Sequence, residues 1–377
     1  MEVAVTGIGL RCALGDLDQS WQRLLNNESG IRLLQPFPEL PPYPLGLIGD
    51  KPIALSELTR LVIADVLKDA GLERPLPDCG IAIGSSRAYQ AEWEKLYCQW
   101  YHDQFPESID LRTIFPHQAA IFAKNYVGSE GPLHAPMAAC ATGLWAIAQG
   151  ADLIRHQQCT LVLAGAVEAP ITPLTLAAFQ RMGASAKTGC YPFDQKREGL
   201  VLGEGGTIFL LERGDLARER GAKIYGYLLG SGFTCDAHHI SAPCSDNHSA
   251  SIAVKQCLEC SRLCPDEIDY IHPHGTGTLL NDQREAALLK FLFSESVPVS
   301  SSKGATAHTL GASGALGSAF CLMTLKMQHL PPNVGVDIPA FELGLVRKTR
   351  QQPIKHALCL SFGFGGQNAA LCWGRST

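Results

Sequence analysis

Short apolar runs alternate with helix-period stretches along most of the chain. Val3-Ala4-Val5-Thr6-Gly7-Ile8-Gly9, Gly80-Ile81-Ala82-Ile83-Gly84 and Leu161-Val162-Leu163-Ala164-Gly165-Ala166 read as strands, the last of the continuous kind covered on both faces. Further strands are predicted at 207–211, 224–229, 268–272, 297–301, 357–361 and 369–373. Between strands, apolar residues recur at helical spacing: Leu58, Leu61, Val62 and Leu67 follow a capping Ser56 and stop at Gly71, and Leu144, Ile147, Ala148, Ala151 and Ile154 form a second stripe. This alternation predicts an α/β fold with largely parallel sheets and helices on their faces. Two rounds of it predict an internal duplication, although no residue-level repeat is visible.

Two stretches break the pattern. Pro36, Pro38, Pro41, Pro42, Pro44 and Pro52 exclude regular structure and predict a surface loop over 35–52. The segment 87–132, with Trp93, Tyr97, Trp100, Tyr101 and Phe105, is aromatic and irregular and reads as packing or interface surface.

Composition narrows the function classes. A chain of 377 residues with 46% hydrophobic content has room for two domains or a fused pair of halves. The net charge of −5, without a run of five like charges, marks neither a nucleic-acid nor a membrane surface. The first residues enter a strand at once, so no signal peptide is read, and no apolar stretch is read as spanning a bilayer. Fourteen scattered cysteines read as reduced thiols. The expectation is a soluble cytoplasmic protein acting on a small or carrier-borne substrate.

Candidate chemistry begins at Cys140, set among small residues where an extended segment gives way to the second helical stripe. A thiol at a helix N-terminus is expected to have a lowered pKa and to act as a nucleophile. Val3 to Gly9 lacks the third glycine of a dinucleotide turn, and Gly203-Glu204-Gly205-Gly206 lacks the ending of a P-loop. Cys257, Cys260 and Cys264, with His248 upstream, have metal-like spacing but share one helix face and read as core packing. Downstream, His274 ends a strand ahead of Gly275 and Gly277, while His272 reads as a structural histidine. Lys303 and His308 lie among residues too small to fill space. The Phe362-Gly363-Phe364-Gly365-Gly366 stretch offers backbone N–H groups to an oxyanion.

Taken in order, Ala138-Ala139-Cys140-Ala141-Thr142, Pro192-Phe193-Asp194, His274-Gly275-Thr276-Gly277-Thr278, Lys303 with His308 five residues on, Leu310-Gly311-Ala312 and the glycine-phenylalanine stretch resemble the β-ketoacyl-acyl-carrier-protein synthases, from about 3 to 373. The resemblance implies the thiolase fold, an α/β architecture of two duplicated halves in a five-layered α-β-α-β-α arrangement. Residues 1–245 would carry the nucleophile and 246–377 the two histidines. It also implies a homodimer, acyl carrier protein bearing acyl and malonyl thioesters as partner, and no metal or organic cofactor. The second histidine points to the Cys-His-His branch. By resemblance Cys140 holds the acyl group, His274 and His308 stabilise the enolate from malonyl-carrier, and Lys303 supports the histidines. The N–H groups of Cys140 and Phe364 form the oxyanion hole, and the Phe364 ring acts as a gate. Three features depart from the family: Pro273 before His274, Gly317 where elongating fatty-acid enzymes usually carry glutamate, and a shortened stretch between Gly84 and Pro136. Alternatives are a non-catalytic partner subunit that sets chain length and a Cys-His acyl hydrolase.

Overall fold

The buried runs become one nine-stranded sheet. In the computed structural model, which describes residues 1–102 and 111–376, the strands are β1 (Val3–Arg11), β2 (Gly80–Gly84), β3 (Leu133–His134), β4 (Leu161–Glu168), β5 (Gly205–Arg213), β6 (Gly226–Cys235), β7 (Tyr270–His272), β8 (His356–Gly363) and β9 (Gln367–Gly374). They lie in the order β7-β8-β9-β6-β1-β5-β4-β2-β3. Six helices serve the sheet: α1 (Leu55–Ala70), α2 (Gln118–Val127), α3 (Thr142–Arg155), α4 (His248–Ser261), α5 (Leu279–Leu292) and α6 (Ser313–Met327).

The duplication is explicit in the pairings. In the first half β3 pairs parallel with β2 and β2 with β4, after which β5 and β1 follow antiparallel. In the second half Val299 bridges parallel to Ile271 of β7 and β7 pairs parallel with β8, after which β9 and β6 follow antiparallel. Helices α1, α2 and α3 of the first half thus correspond in connection to α4, α5 and α6 of the second. By this topology β6 opens the second half, ahead of the division at 245.

Helix α1 packs on β1 and β5, and α4 packs on β6 and β9. Between the two sheet halves α3 lies on β4 and β2, α6 lies on β8 and β7, and the two helices touch each other. The layers are therefore α-β-α-β-α, as the resemblance implies. All of the predicted stripe from Leu144 to Ile154 is buried.

Several readings are corrected. The sheet is mixed rather than largely parallel, because a strand buried under helices on both faces reads the same whichever way its neighbour runs. The run 297–301 forms no continuous strand: Val299 makes one isolated parallel bridge to Ile271, and Pro298 cannot donate to a ladder. Within the proline-rich stretch, Tyr43–Gly46 forms a strand between Arg32–Leu34 and Leu202–Gly203. Pro44 is tolerated because the parallel pairing there starts only at Leu45. Helix α1 starts at Leu55 with Ala54 as its cap, two residues ahead of the expected cap Ser56.

Of the three clustered cysteines only Cys257 is core, since Cys260 and Cys264 are exposed. The run Leu310–Met327 is long and apolar enough to cross a bilayer by composition, yet it is 89% buried between the sheet halves and serves as core. The aromatic segment forms a helix, Gln90–Tyr101, on which Trp93, Tyr97, Trp100 and Tyr101 are all exposed. Phe105 lies outside the described residues.

The inner helices meet at their first turns through glycine. A Cβ on Gly143 would stand 2.8 Å from the Ala315 nitrogen, and one on Gly314 would stand 2.7 Å from Leu144 Cγ. Neither side can yield, because both helices are wedged between sheets. Gly143→Val is expected to lower unfolding stability by about 1–3 kcal/mol, read as a fall in the urea midpoint; an unchanged midpoint would show that the close crossing is dispensable.

Candidate active site

The two inner helices also aim the chemistry. Ahead of α3, Ala139 adopts a left-handed φ of 47° and turns the chain so that Cys140 precedes the helix. The Thr142 hydroxyl fixes this turn, accepting from Ala138 N at 2.9 Å and donating to Ala139 O at 2.6 Å. Ser361 of β8 donates to the Cys140 carbonyl at 2.9 Å. Ahead of α6 the same device recurs: Ala307 has φ of 60°, and His308 follows it. Such backbone strain in non-glycine residues persists only where surrounding packing imposes it. His308 N donates to Val201 O at 2.7 Å, and its Nδ1 lies 2.7 Å from Ser313 Oγ.

His274 arrives from the end of β7. Gly275 follows with φ of 41°, and a Cβ there would meet the Phe193 ring at 2.9 Å. Glu285 of α5 accepts the N–H groups of His274 and Gly275 at 2.6 and 2.7 Å, while Asp282 accepts those of Thr276 and Gly277. The loop is thus held by two carboxylates one helical turn apart.

These elements bring Cys140, His274 and His308 together. The thiol sulfur and one nitrogen of each imidazole lie within 4.8 Å of one another, and the imidazoles meet edge to face at 5.3 Å. All three line a cavity of about 310 Å³ together with Phe364, whose ring stacks on Phe179 at 6.1 Å. Lys303 does not line it. The lysine is buried behind His274, and its Nζ donates to the His274 carbonyl oxygen. His272 stands apart from the cavity, 3.0 Å from Ser302 Oγ.

Electrostatics follows from burial. Both His274 and His308 are held well below the usual histidine range, first by desolvation and then by the Lys303 charge. The expectation of a lowered thiol pKa is corrected: burial pushes Cys140 up to about 12, against the opposing pull of Lys303 and of the Phe364 and Cys140 N–H groups. The resting group is a neutral thiol beside two neutral imidazoles. Lys303 is lowered by burial, and Glu285 is raised to about 7 by the same cause. Sulfur and imidazole nitrogen also suit zinc, but a buried ammonium next to them opposes a second cation.

Sequence reasoning missed Asp282, Glu285, Ser313 and Ser361. The first two carried a signal, since acids three residues apart at the start of a helix after a histidine-glycine loop present both carboxylates to that loop.

A neutral thiol with imidazole bases and two backbone donors, at the seam of a duplicated α/β fold, defines a thiol-dependent acyltransferase. The family description "Beta-ketoacyl synthase, N-terminal domain" matches residues 55–217, and "Beta-ketoacyl synthase, C-terminal domain" matches 225–337. The chain belongs to the β-ketoacyl synthase family, the condensing enzymes. It is 31% identical to the mitochondrial 3-oxoacyl-[acyl-carrier-protein] synthase of Arabidopsis thaliana, over 98% of this chain and 92% of that protein. Against 3-oxoacyl-[acyl-carrier-protein] synthase 2 of Staphylococcus aureus (strain MRSA252) it is 29% identical, covering 98% of this chain and 97% of the other. Among solved structures, a ketosynthase complex described as a type II PKS acyl-carrier protein with its ketosynthase bound to the hexaketide superposes with a TM-score of 0.92. That match has 26% identity and covers 100% of this chain and 99% of the other.

Because burial and Lys303 both oppose the imidazolium, His274 and His308 are expected to stay neutral as pH falls through 6.5. Nitrogen-15 NMR of the imidazoles checks this; a protonation midpoint at or above 6.5 in either ring contradicts the electrostatics described.

Proposed function

We propose that this protein condenses an acyl group held on Cys140 with malonyl-acyl-carrier protein, giving 3-oxoacyl-carrier and carbon dioxide in fatty-acid or polyketide-type chain elongation. The observation that carries the reading is the convergence of one thiol, two neutral imidazoles and two backbone donors on a single cavity.

In the first half-reaction the Cys140 sulfur attacks the acyl-carrier thioester as its proton passes to a neutral imidazole. By resemblance the tetrahedral oxyanion meets the N–H groups of Cys140 and Phe364, the same two groups that pull the thiol pKa down. The carrier thiolate leaves, takes the proton back, and a Cys140 thioester remains. A depressed imidazole pKa suits this passing role, because the proton is accepted only as the sulfur gives it up.

In the second half-reaction malonyl-carrier enters. Its terminal carbon–carbon bond breaks, carbon dioxide departs, and the electron pair forms an enolate. Neutral His274 and His308 each have one N–H to donate to the enolate oxygen. The carbanion attacks the Cys140 thioester, and the same two backbone donors hold the new oxyanion. Collapse releases 3-oxoacyl-carrier and a thiolate that takes up one proton. Lys303, bonded to the His274 carbonyl, holds that histidine and keeps it unprotonated. By resemblance the Phe364 ring, which stacks on Phe179, separates the two half-reactions.

A chain-length-setting partner without chemistry has less support, since nothing in such a role calls for a thiol between two imidazoles. A hydrolase needs water at the thioester, and the wall beside Cys140 is apolar, with Phe179, Met182 and Leu200.

A homodimer belongs to the proposal. Strand β3 ends the sheet with two residues, and on the helix Gln90–Tyr101 Trp100 and Tyr101 are 60% and 70% exposed. Fourteen unpaired cysteines suit a reducing compartment such as the cytoplasm.

Incubation with an acyl-carrier thioester is expected to leave an acyl adduct on Cys140 by mass spectrometry; its absence supports the non-catalytic partner instead. Cys140→Ala is expected to abolish condensation while malonyl decarboxylation persists, because both histidines remain. Loss of both activities in a folded variant would refute this division of labour. Light scattering is expected to give about twice the 40.6 kDa chain mass, and a monomer would remove the dimer from the proposal.

A further inference from the structure

Arg284 is the only guanidinium or ammonium among the described residues lining the cavity. It sits on the first turns of α5, between Asp282 and Glu285, with only 6% of its side chain exposed. Its Nη2 donates to Asp236 Oδ1 at 3.1 Å, and Asp236 is itself 1% exposed in its side chain. Asp236 also accepts from Asn368 Nδ2 at 2.7 Å and from Cys244 N at 2.9 Å.

This pairing leaves most of the guanidinium unused. Arg284 Nε is buried with no partner, and Nη1 makes no hydrogen bond to a described residue. A buried charged group with idle donors is costly unless something completes it. The other carboxylate on the cavity wall, Glu198, is taken by the N–H groups of Lys187 and Thr188 and by the Thr188 hydroxyl.

Position says what would complete it. The guanidinium stands 5.4 Å from the Phe362 ring, and the same ring meets His274 at 5.9 Å. Arg284 therefore lies on the His274 side, where the enolate forms, and not against the Phe179 and Phe364 stack. On that side the incoming unit carries one anionic group, the carboxylate that will be lost.

We propose, resting on the condensing reading above, that Arg284 binds the carboxylate of the malonyl unit before decarboxylation. The idle N–H donors take its oxygens and hold the bond to be broken in a fixed orientation. When that bond breaks, its electron pair goes to the α-carbon and carbon dioxide leaves neutral; Arg284 keeps all its protons and loses its hold on the product. Asp236 keeps the arginine paired in the free enzyme. The contact is made to the ground state, so its loss raises KM more than it lowers kcat. It also gives the site a means of preferring malonyl over acetyl carriers as the second substrate.

The test uses malonyl- and acetyl-pantetheine analogues with amide in place of thioester, their binding measured by calorimetry. Wild type is expected to favour the malonyl analogue by about tenfold or more. Arg284→Met brings the ratio close to one and raises KM for malonyl-carrier, and Arg284→Lys restores part of both. Acylation of Cys140, assayed without malonyl-carrier, remains in Arg284→Met. The double variant Arg284→Met with Asp236→Asn, which leaves no unpaired buried carboxylate, gives the same loss of preference if the single variant folds poorly. A retained malonyl preference in either Met variant overturns the proposal. Loss of Cys140 acylation together with malonyl binding overturns it in favour of a structural anchor. Failure of wild type to acylate Cys140 instead defeats the condensing reading itself.

Discussion

The close crossing of two buried helices at their N-terminal turns is the constraint on which the site depends. Gly143 against Ala315, and Gly314 against Leu144, let α3 and α6 approach so that each of those side chains packs directly on the opposing glycine. Each helix is preceded by a left-handed alanine and then by a chemical group, Cys140 in one half and His308 in the other. The duplicated topology turns two equivalent positions into neighbours. Sulfur and imidazole thus meet because a strand–helix unit was repeated and its copies packed face to face.

The electrostatics rests on the same geometry. Groups delivered to the seam between two sheet halves lose water, and that loss favours neutral thiol and neutral imidazole alike. Pre-formed thiolate is not what this site stores. It holds stabilising groups instead: the backbone N–H groups of Cys140 and Phe364, which oppose the upward push on the thiol, and Lys303 behind His274. The low-dielectric setting strengthens each of these contacts and keeps the histidines from consuming a proton prematurely.

Much of this was legible in the sequence, and unevenly so. Buried strands and the helix stripe following Cys140 were readable because apolar period and length are local properties. Cys140, His274, His308, Lys303 and Phe364 were readable because each sits in a glycine- or alanine-rich motif whose order along the chain is distinctive. Strand direction was not readable, since β4 and β5 look alike whether parallel or antiparallel. The thiol pKa was misread because the helix terminus is visible in sequence and the burial opposing it is not. Nor was Tyr43–Gly46 visible as a strand: its partners are 32–34 and 202–203, and only the folded chain brings 202–203 beside it. Asp282 and Glu285 carried only the signal of their spacing after the histidine-glycine loop, Arg284 carried none, and only tertiary packing shows all three buried.

Position 317, where the resemblance leads to an expectation of glutamate, has no room for a side chain. A side chain there would place its Cβ 2.6 Å from His272 Nδ1 and 3.0 Å from Cys359 Sγ, so glycine is the residue that the imidazole of His272 allows. His272 Nε2 lies 3.3 Å from the Ser302 N–H, and an imidazole has no negative charge to set against Lys303. The counter-charge then comes from Glu285, the leading favourable influence on the buried ammonium. One turn of α5 therefore balances Lys303 through Glu285, braces the histidine loop through Asp282, and faces the cavity with Arg284. Moving that turn would disturb charge balance, loop position and the cavity wall together, which makes α5 the element through which the second half of the chain governs chemistry begun on a sulfur in the first.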